Sequence, residues 1–243
     1  MPTATTRRTK RSENGWDFSP PKVLEIPPEA HTYNGFLDWV MSDDFPEKMR
    51  VWYLQGTVSV DMSEESIPTH VAVKGGIYRT LLSLAEEIDF GQFYTDGVLY
   101  CNRPARISGN PDGVAARWEA FENGRVRFIV RKDLQRALEG SPDWIMEIVS
   151  DSSVGKDKKK LRAAYHRAHI EEYWIIDARG DDIDFQILTW RPAGYVSVPS
   201  KDGWTYSKIF GRSFRLTRRK NRIGIWTYRL EIKPGENKTQ PST

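Results

Sequence analysis

A chain of 243 residues, 39% hydrophobic and 28% charged with nine Trp and ten Tyr, has an ordinary globular composition and enough apolar material for one large domain or two small ones. Its net charge of +3 is compatible with a nucleic-acid partner without demanding one. A single cysteine, Cys101, excludes an intramolecular disulfide and a cysteine-rich zinc site; no apolar run approaches the ~20 residues that cross a bilayer.

In chain order, residues 1–30 are basic (Arg7, Arg8, Lys10, Arg11) and then proline-rich, and read as a flexible N-terminal arm. The arm lacks the apolar segment of a secretory signal, so a cytoplasmic location is expected. RVWYLQGTVSVDM, residues 50–62, predicts a hairpin around Gln55-Gly56. Ile77, Leu81, Leu84, Ala85 and Ile88 recur at helical spacing after His70. Strands are predicted over 92–100, 111–117, 125–130 and 142–149, with a short helix over 134–138. The spacing of Leu161, Ala164, Tyr165 and Ala168 predicts a helix over 156–169, and EYWIID a buried strand over 172–177. Runs at 184–188, 195–198, 204–209 and 227–232 read as antiparallel additions, and 233–243 as a tail. The strand–helix–strand unit in the middle suits a parallel pairing. The expectation is an α/β domain over 31–232, with its core at about 50–180 and a C-terminal β extension at about 181–232.

Two strings carry chemistry: Asn110-Pro111-Asp112-Gly113 before an apolar strand, and PDWIMEIVS at 142–150. Strand alternation puts Asp143, Ile145, Glu147 and Val149 on one face. Glu147 thus sits among apolar neighbours, where an ionised carboxylate is costly unless a cation accompanies it. Asp143 is four residues away, ~13 Å along a strand, too far to share one ion. Asp112, from another strand, is the better partner. Two carboxylates on adjacent strands can hold Mg²⁺ or Mn²⁺ beside a phosphate oxygen, with a lysine to neutralise charge.

The segment PDWIMEIVSDSSVGKDKKKLRAAYHRAHIEEYWIIDAR at 142–179 resembles the hallmark of the Uma-type family, restriction-endonuclease-like proteins of the PD-(D/E)XK nuclease superfamily. The upstream hairpin, His70 and Pro111-Asp112 add to the likeness, which covers roughly 50–179 and is loose beyond 181. The resemblance implies a restriction-endonuclease-like α/β core, with a mixed central β-sheet flanked by helices. It implies an endonuclease that hydrolyses DNA phosphodiester bonds with Mg²⁺ (or Mn²⁺), and by analogy a homodimer. Asp112 would be the first metal ligand, Glu147 the acidic residue of the second motif, and the Ile148 carbonyl a further ligand. The expected lysine positions hold Val149 and Leu161 instead. Lys160, the neighbour of Leu161, is named as the catalytic lysine, with Lys156, one turn earlier, as the alternate. The two missing lysines keep a second reading open, a catalytically impaired relative that binds nucleic acid or a protein.

Other residues have plainer readings. Asp143 reads as structural, and Lys158, Lys159 and Lys160 as a charge run of the kind that marks a solvated helix face. Ser150, Ser152 and Ser153 suit a loop and helix cap. His166 and His169 lack further zinc ligands. His70 either reaches the site from the long helix or only caps it, the cap being the favoured reading, and Tyr165, Tyr173 and Trp174 are expected to fill the core. No P-loop, dinucleotide fingerprint or serine elbow is present.

Overall fold

The computed structural model describes residues 24–234 apart from Asp44, Glu47, Lys48, Ser63, Glu64 and Ser152, so the basic residues of the arm and the tail from 235 lie outside the described residues. Helix α1 (Tyr33–Val40) starts at Thr32, whose side chain accepts from the Gly35 amide. The hairpin is β1 (Arg50–Leu54) and β2 (Thr57–Asp61). Its turn residues Gln55 and Gly56 have φ of 51° and 96°, the left-handed pair that matches strand twist. A π-type turn (Ile67–Val71) leads into α2 (Ala72–Glu87), which buries Ile77, Leu81, Leu84 and Ala85 as the periodicity predicts.

The predicted strand over 92–100 is two strands, β3 (Gly91–Tyr94) and β4 (Tyr100–Asn102), separated by a turn at Gly97 with φ of 96°. Then come β5 (Ile107–Gly109), β6 (Gly113–Arg117), helix α3 (Trp118–Glu122) and β7 (Val126–Arg131). The predicted helix at 134–138 is instead a strand, β8 (Leu134–Gly140). Lys132 and Asp133 have φ of 50° and 61° and fold it back on β7, while β4 pairs along its other edge. Pairing on both sides overrides the helical preference of its Leu and Ala residues.

The remainder is β9 (Trp144–Ile148), a π-type segment (Lys156–Leu161) running into α4 (Arg162–Arg167), and β10 (Glu172–Asp177). There follow β11 (Asp184–Thr189), β12 (Val196–Ser197), β13 (Ser200–Lys201), β14 (Trp204–Ser207), β15 (Arg212–Lys220) and β16 (Trp226–Pro234). The central sheet has the order β12-β11-β10-β9-β6-β3, with β9 and β10 parallel and the other pairs antiparallel. A second sheet runs β2-β1-β5-β4-β8-β7 and a third β13-β14-β15-β16. The central sheet is buried on both faces. Ile145 and Val149 pack with Leu161, Ala164 and Tyr165 on one side. Trp144, Met146 and Ile148 pack with α2, Phe214 and Leu230 on the other.

Glu172 opens β10 inside this core, 1% exposed, and accepts from Trp174 Nε1, Ser207 Oγ and the Lys208 amide. Burial outweighs those three donors and pushes its carboxyl up to about 7. A carboxyl raised in the folded state stabilises the fold fully below its unfolded pKa, near 4.5, and loses that contribution as pH rises through 7. The loss amounts to about 3 kcal/mol. Urea denaturation is expected to show stability falling from pH 5 to pH 8, with a shallower fall for Glu172→Gln; identical slopes would contradict this account.

Candidate active site

The antiparallel register of β6 and β9 pairs Gly113 with Met146, which sets Asp112 beside Glu147 at the ends of two central strands. Both carboxylates are buried, at 5% and 3% exposure. Asp112 Oδ2 accepts from the Ile148 amide at 2.7 Å, tying the approach to β6 to the end of β9. Tyr78 of α2 donates to the Asp112 carbonyl.

His70 and Lys74, one helical turn apart, reach the same place from the start of α2. His70 Nε2 lies 3.4 Å from Asp112 Oδ2 and 3.0 Å from the Ile148 carbonyl, and its Nδ1 is 3.1 Å from Glu65 Oε2. Lys74 Nζ lies 2.9 Å from Asp112 Oδ1, 2.8 Å from Glu65 and 2.6 Å from Asp96. Arg50 of β1 pairs with the same Glu65 and Asp96. Potential ligand atoms of Glu65, His70 and Asp112 lie within 4.8 Å of one another.

Opposite them, Lys156 Nζ sits 4.9 Å from the centre of the Trp52 ring, 3.8 Å from Asp157 Oδ1 and 3.9 Å from Asp61 Oδ2. Asp157 is itself buried. Its Oδ2 takes the Ser153 hydroxyl, its main-chain carbonyl takes Tyr173 at 3.1 Å, and its Oδ1 is buried with no hydrogen-bond partner. Glu147 accepts from the Tyr165 hydroxyl at 2.6 Å. Asp112, Glu147, Ile148, His70, Lys156 and Asp157 all line one cavity of about 30 Å³, room for a water or an ion.

The two central carboxylates are driven in opposite directions. Burial works to raise Asp112, but hydrogen bonding to His70 and the charge of Lys74 outweigh it and hold the group at about 2. Burial raises Glu147 well above the usual carboxylate range, and the charges of Asp112 and Asp157 add to this. Burial also lifts Asp157 to about 6 against the pull of Lys156. Burial opposes a charge on His70, yet Asp112 prevails and raises its pKa. Two neighbouring carboxyls pushed apart in this way mark a site able to divide acidic and basic roles.

The sequence-predicted residues divide. Asp112, Glu147 and the Ile148 carbonyl are brought together. Lys160 is exposed and does not line the cavity, whereas Lys156 does. Val149 and Leu161, at the expected lysine positions, are both in the apolar core. Asp143 is fully buried at the other end of β9, held by Arg125 at 2.8 Å and the Arg117 amide at 2.8 Å, a structural role as expected. Lys158 pairs with Asp177 and Asp184, and Lys159 is exposed. Ser153 holds the Ser150 amide as well as Asp157, and Ser152 lies outside the described residues. His166 and His169 both pack on Trp190. Tyr165, Tyr173 and Trp174 are core residues, but Tyr165 also touches Glu147.

His70 does not cap the helix as expected: it lies inside the Ile67–Val71 turn and its ring contacts Asp112, Glu65 and the Ile148 carbonyl. It and Lys74 were legible only as polar residues on the helix face that buries Val73 and Ile77. The donor set of carboxylates, a main-chain carbonyl and one imidazole fits a hard divalent cation, and Asp157 Oδ1, buried without a hydrogen-bond partner, is an observation in the same sense.

The Uma2 family, described as "Putative restriction endonuclease", matches residues 34–218. The search of curated proteins gives no match. Among solved structures, a putative nuclease belonging to DUF820 from Anabaena variabilis superposes with a TM-score of 0.52 at 15% identity, covering 74% of this chain and 90% of that one. At that identity the likeness speaks for the fold, a mixed α/β arrangement of the nuclease-like kind. The family match spans every element that builds the cleft, from β1 through α2 and β6 to β10, and on this ground the chain belongs to the Uma2 family.

Proposed function

We propose that this protein is an endonuclease that hydrolyses DNA phosphodiester bonds with the help of Mg²⁺ or Mn²⁺. One observation carries the reading: Asp112 and Glu147, buried on adjacent strands, share one small cavity with a lysine, Lys156. Asp112, Glu147 and the Ile148 carbonyl, which line one cavity, would hold the ion; Glu65 and His70 have potential ligand atoms within 4.8 Å of Asp112. A bound dication would polarise a phosphoryl oxygen and lower the pKa of a coordinated water.

The chain's own groups do the rest. Lys156, held over Trp52 and against Asp157, sets a positive charge where negative charge accumulates on a phosphate in the transition state. Tyr165 fixes the orientation of Glu147. Lys74 and His70 keep Asp112 ionised. Arg50 and Lys74 hold Glu65 and Asp96 in one network, so the helix carrying His70 is fixed against β1. A homodimer would present one such cleft to each DNA strand, and the buried lone Cys101 suits a reducing compartment.

The test is calorimetric titration of Mn²⁺ into wild type and Glu147→Ala, with plasmid nicking on the same samples. Binding and nicking that both disappear in the variant are expected. Wild type that binds no Mn²⁺ would overturn the proposal, and binding without nicking would favour the impaired relative.

A further inference from the structure

The C-terminal sheet carries charge that the cleft does not use. Residues 212–234 contain eight basic side chains and one acidic one, in a chain whose net charge is only +3. Phe214 and Leu216 of β15 face the core, so alternation turns Arg215, Thr217 and Arg219 outward. The register with β16 sets Glu231, Arg229 and Thr227 opposite those three. α2 rests along β16, with Thr80 Oγ1 donating to the Leu230 carbonyl at 3.0 Å. Between the exposed side of α2 and the outer face of the sheet lies an open groove of about 1160 Å³.

The groove holds two acids, and both are answered: Glu87 lies 3.7 Å from Arg212, and Glu231 lies 2.7 Å from Arg215. Three arginines from three different elements, Arg79, Arg219 and Arg229, are exposed and take part in no ion pair among the described residues. Bringing three like charges around one groove without counter-charge costs stability, and a polyanion relieves that cost. All three are guanidinium groups, whose planar fork suits phosphate better than an ammonium does. Trp204, which also lines the groove, is flanked by Arg215 and Lys233 at 4.6 and 4.9 Å. Lys74 and Ser83 are nine residues apart, about 180° round the helix, so the groove and the cleft lie on opposite sides of α2. The groove also depends on β16, which falls beyond the residues matched by the family.

We propose that this groove is a second nucleic-acid contact, gripping the phosphate backbone through Arg79, Arg219 and Arg229. It shares with the proposed function only the class of ligand. The experiment is fluorescence anisotropy of the full chain with a labelled 30-base-pair DNA duplex in EDTA, over 50 to 200 mM KCl. Wild type is compared with Arg219→Glu/Arg229→Glu and, should that variant fold poorly, with Arg219→Gln/Arg229→Gln. Each lost phosphate contact removes about 0.9 from the log–log salt slope. The slope should therefore become shallower by about two, and wild type should lose about tenfold more affinity than the variant across that range.

An unchanged slope and affinity in a variant that melts with wild type would overturn the proposal. So would displacement of the duplex by polyglutamate at equal charge, because the groove would then be a general polyanion surface. Single-stranded DNA and RNA of the same length, run in parallel, identify which backbone it prefers. A groove variant that loses DNA yet keeps Mn²⁺ binding separates this inference from the fate of the nuclease reading.

Discussion

Lys156→Ala is expected to slow plasmid nicking about 10²- to 10³-fold, the usual cost of removing one positioned group that stabilises transition-state charge. Lys160→Ala should change it by no more than about twofold, as for an exposed residue without partners among the described residues. The contrast follows from placement. Lys156 lines the cavity, its ammonium is held over Trp52, and Asp157 and Asp61 lie just under 4 Å away. Lys160 lies on the exposed side of the same helix, while Leu161 fills the apolar core. Lys156→Arg should not restore full activity, since a planar guanidinium meets Trp52 and Asp157 in a different geometry. Equal losses at the two lysines would remove the assignment, and a loss confined to Lys160 would reverse it.

Glu147→Gln should abolish Mn²⁺ binding and nicking and yet raise thermal stability in metal-free buffer, by about 0.5–2 kcal/mol at pH 8. Glu147 is buried beside two other carboxylates, and its pKa lies well above the ordinary value. The sign is that of any raised carboxyl: its proton favours the fold at low pH, and the contribution is lost as pH rises. An amide keeps the shape and still accepts from Tyr165 without the burden of ionisation. The wild type should therefore approach the variant's stability as pH falls, and Mn²⁺ should bind wild type more tightly as pH rises, because the ion must displace a proton. A Gln variant less stable than wild type at pH 8 would mean that Glu147 is a structural partner and not a site held at a cost.

What was legible in the sequence was whatever periodicity or a local motif could carry. The β1–β2 hairpin, the inner face of α2 and the β9–helix–β10 unit follow from patterns only a few residues long. β15 is not legible as a strand because Arg212, Arg215, Arg218, Arg219 and Lys220 swamp the alternation of Phe214 and Leu216. β8 read as helix because its two neighbours, one of them distant in sequence, decide its state. The acidic pair was visible because a glutamate in an apolar strand is conspicuous. Lys74 was not, since a lysine on a helix is ordinarily solvated and only packing reveals that this one is buried among three carboxylates. Lys160 adjoins Leu161 in sequence, but one residue on a helix is ~100° of rotation, and here it separates a side chain in the core from one in solvent.

Gly76 sits where α2 crosses β16, and a Cβ there would come within 2.6 Å of the Tyr228 carbonyl. The helix can press against the last strand only because this position has no side chain. Lys74 stands two residues away on the same helix, and His70 in the turn that leads into it. The final strand is thus a splint for the cleft, and the spacing between helix and splint sets how deeply the imidazole and ammonium reach toward Asp112. A change of contour at Tyr228 would be felt as a change of reach at the acidic pair, although the described lining of the cleft contains no residue of β16.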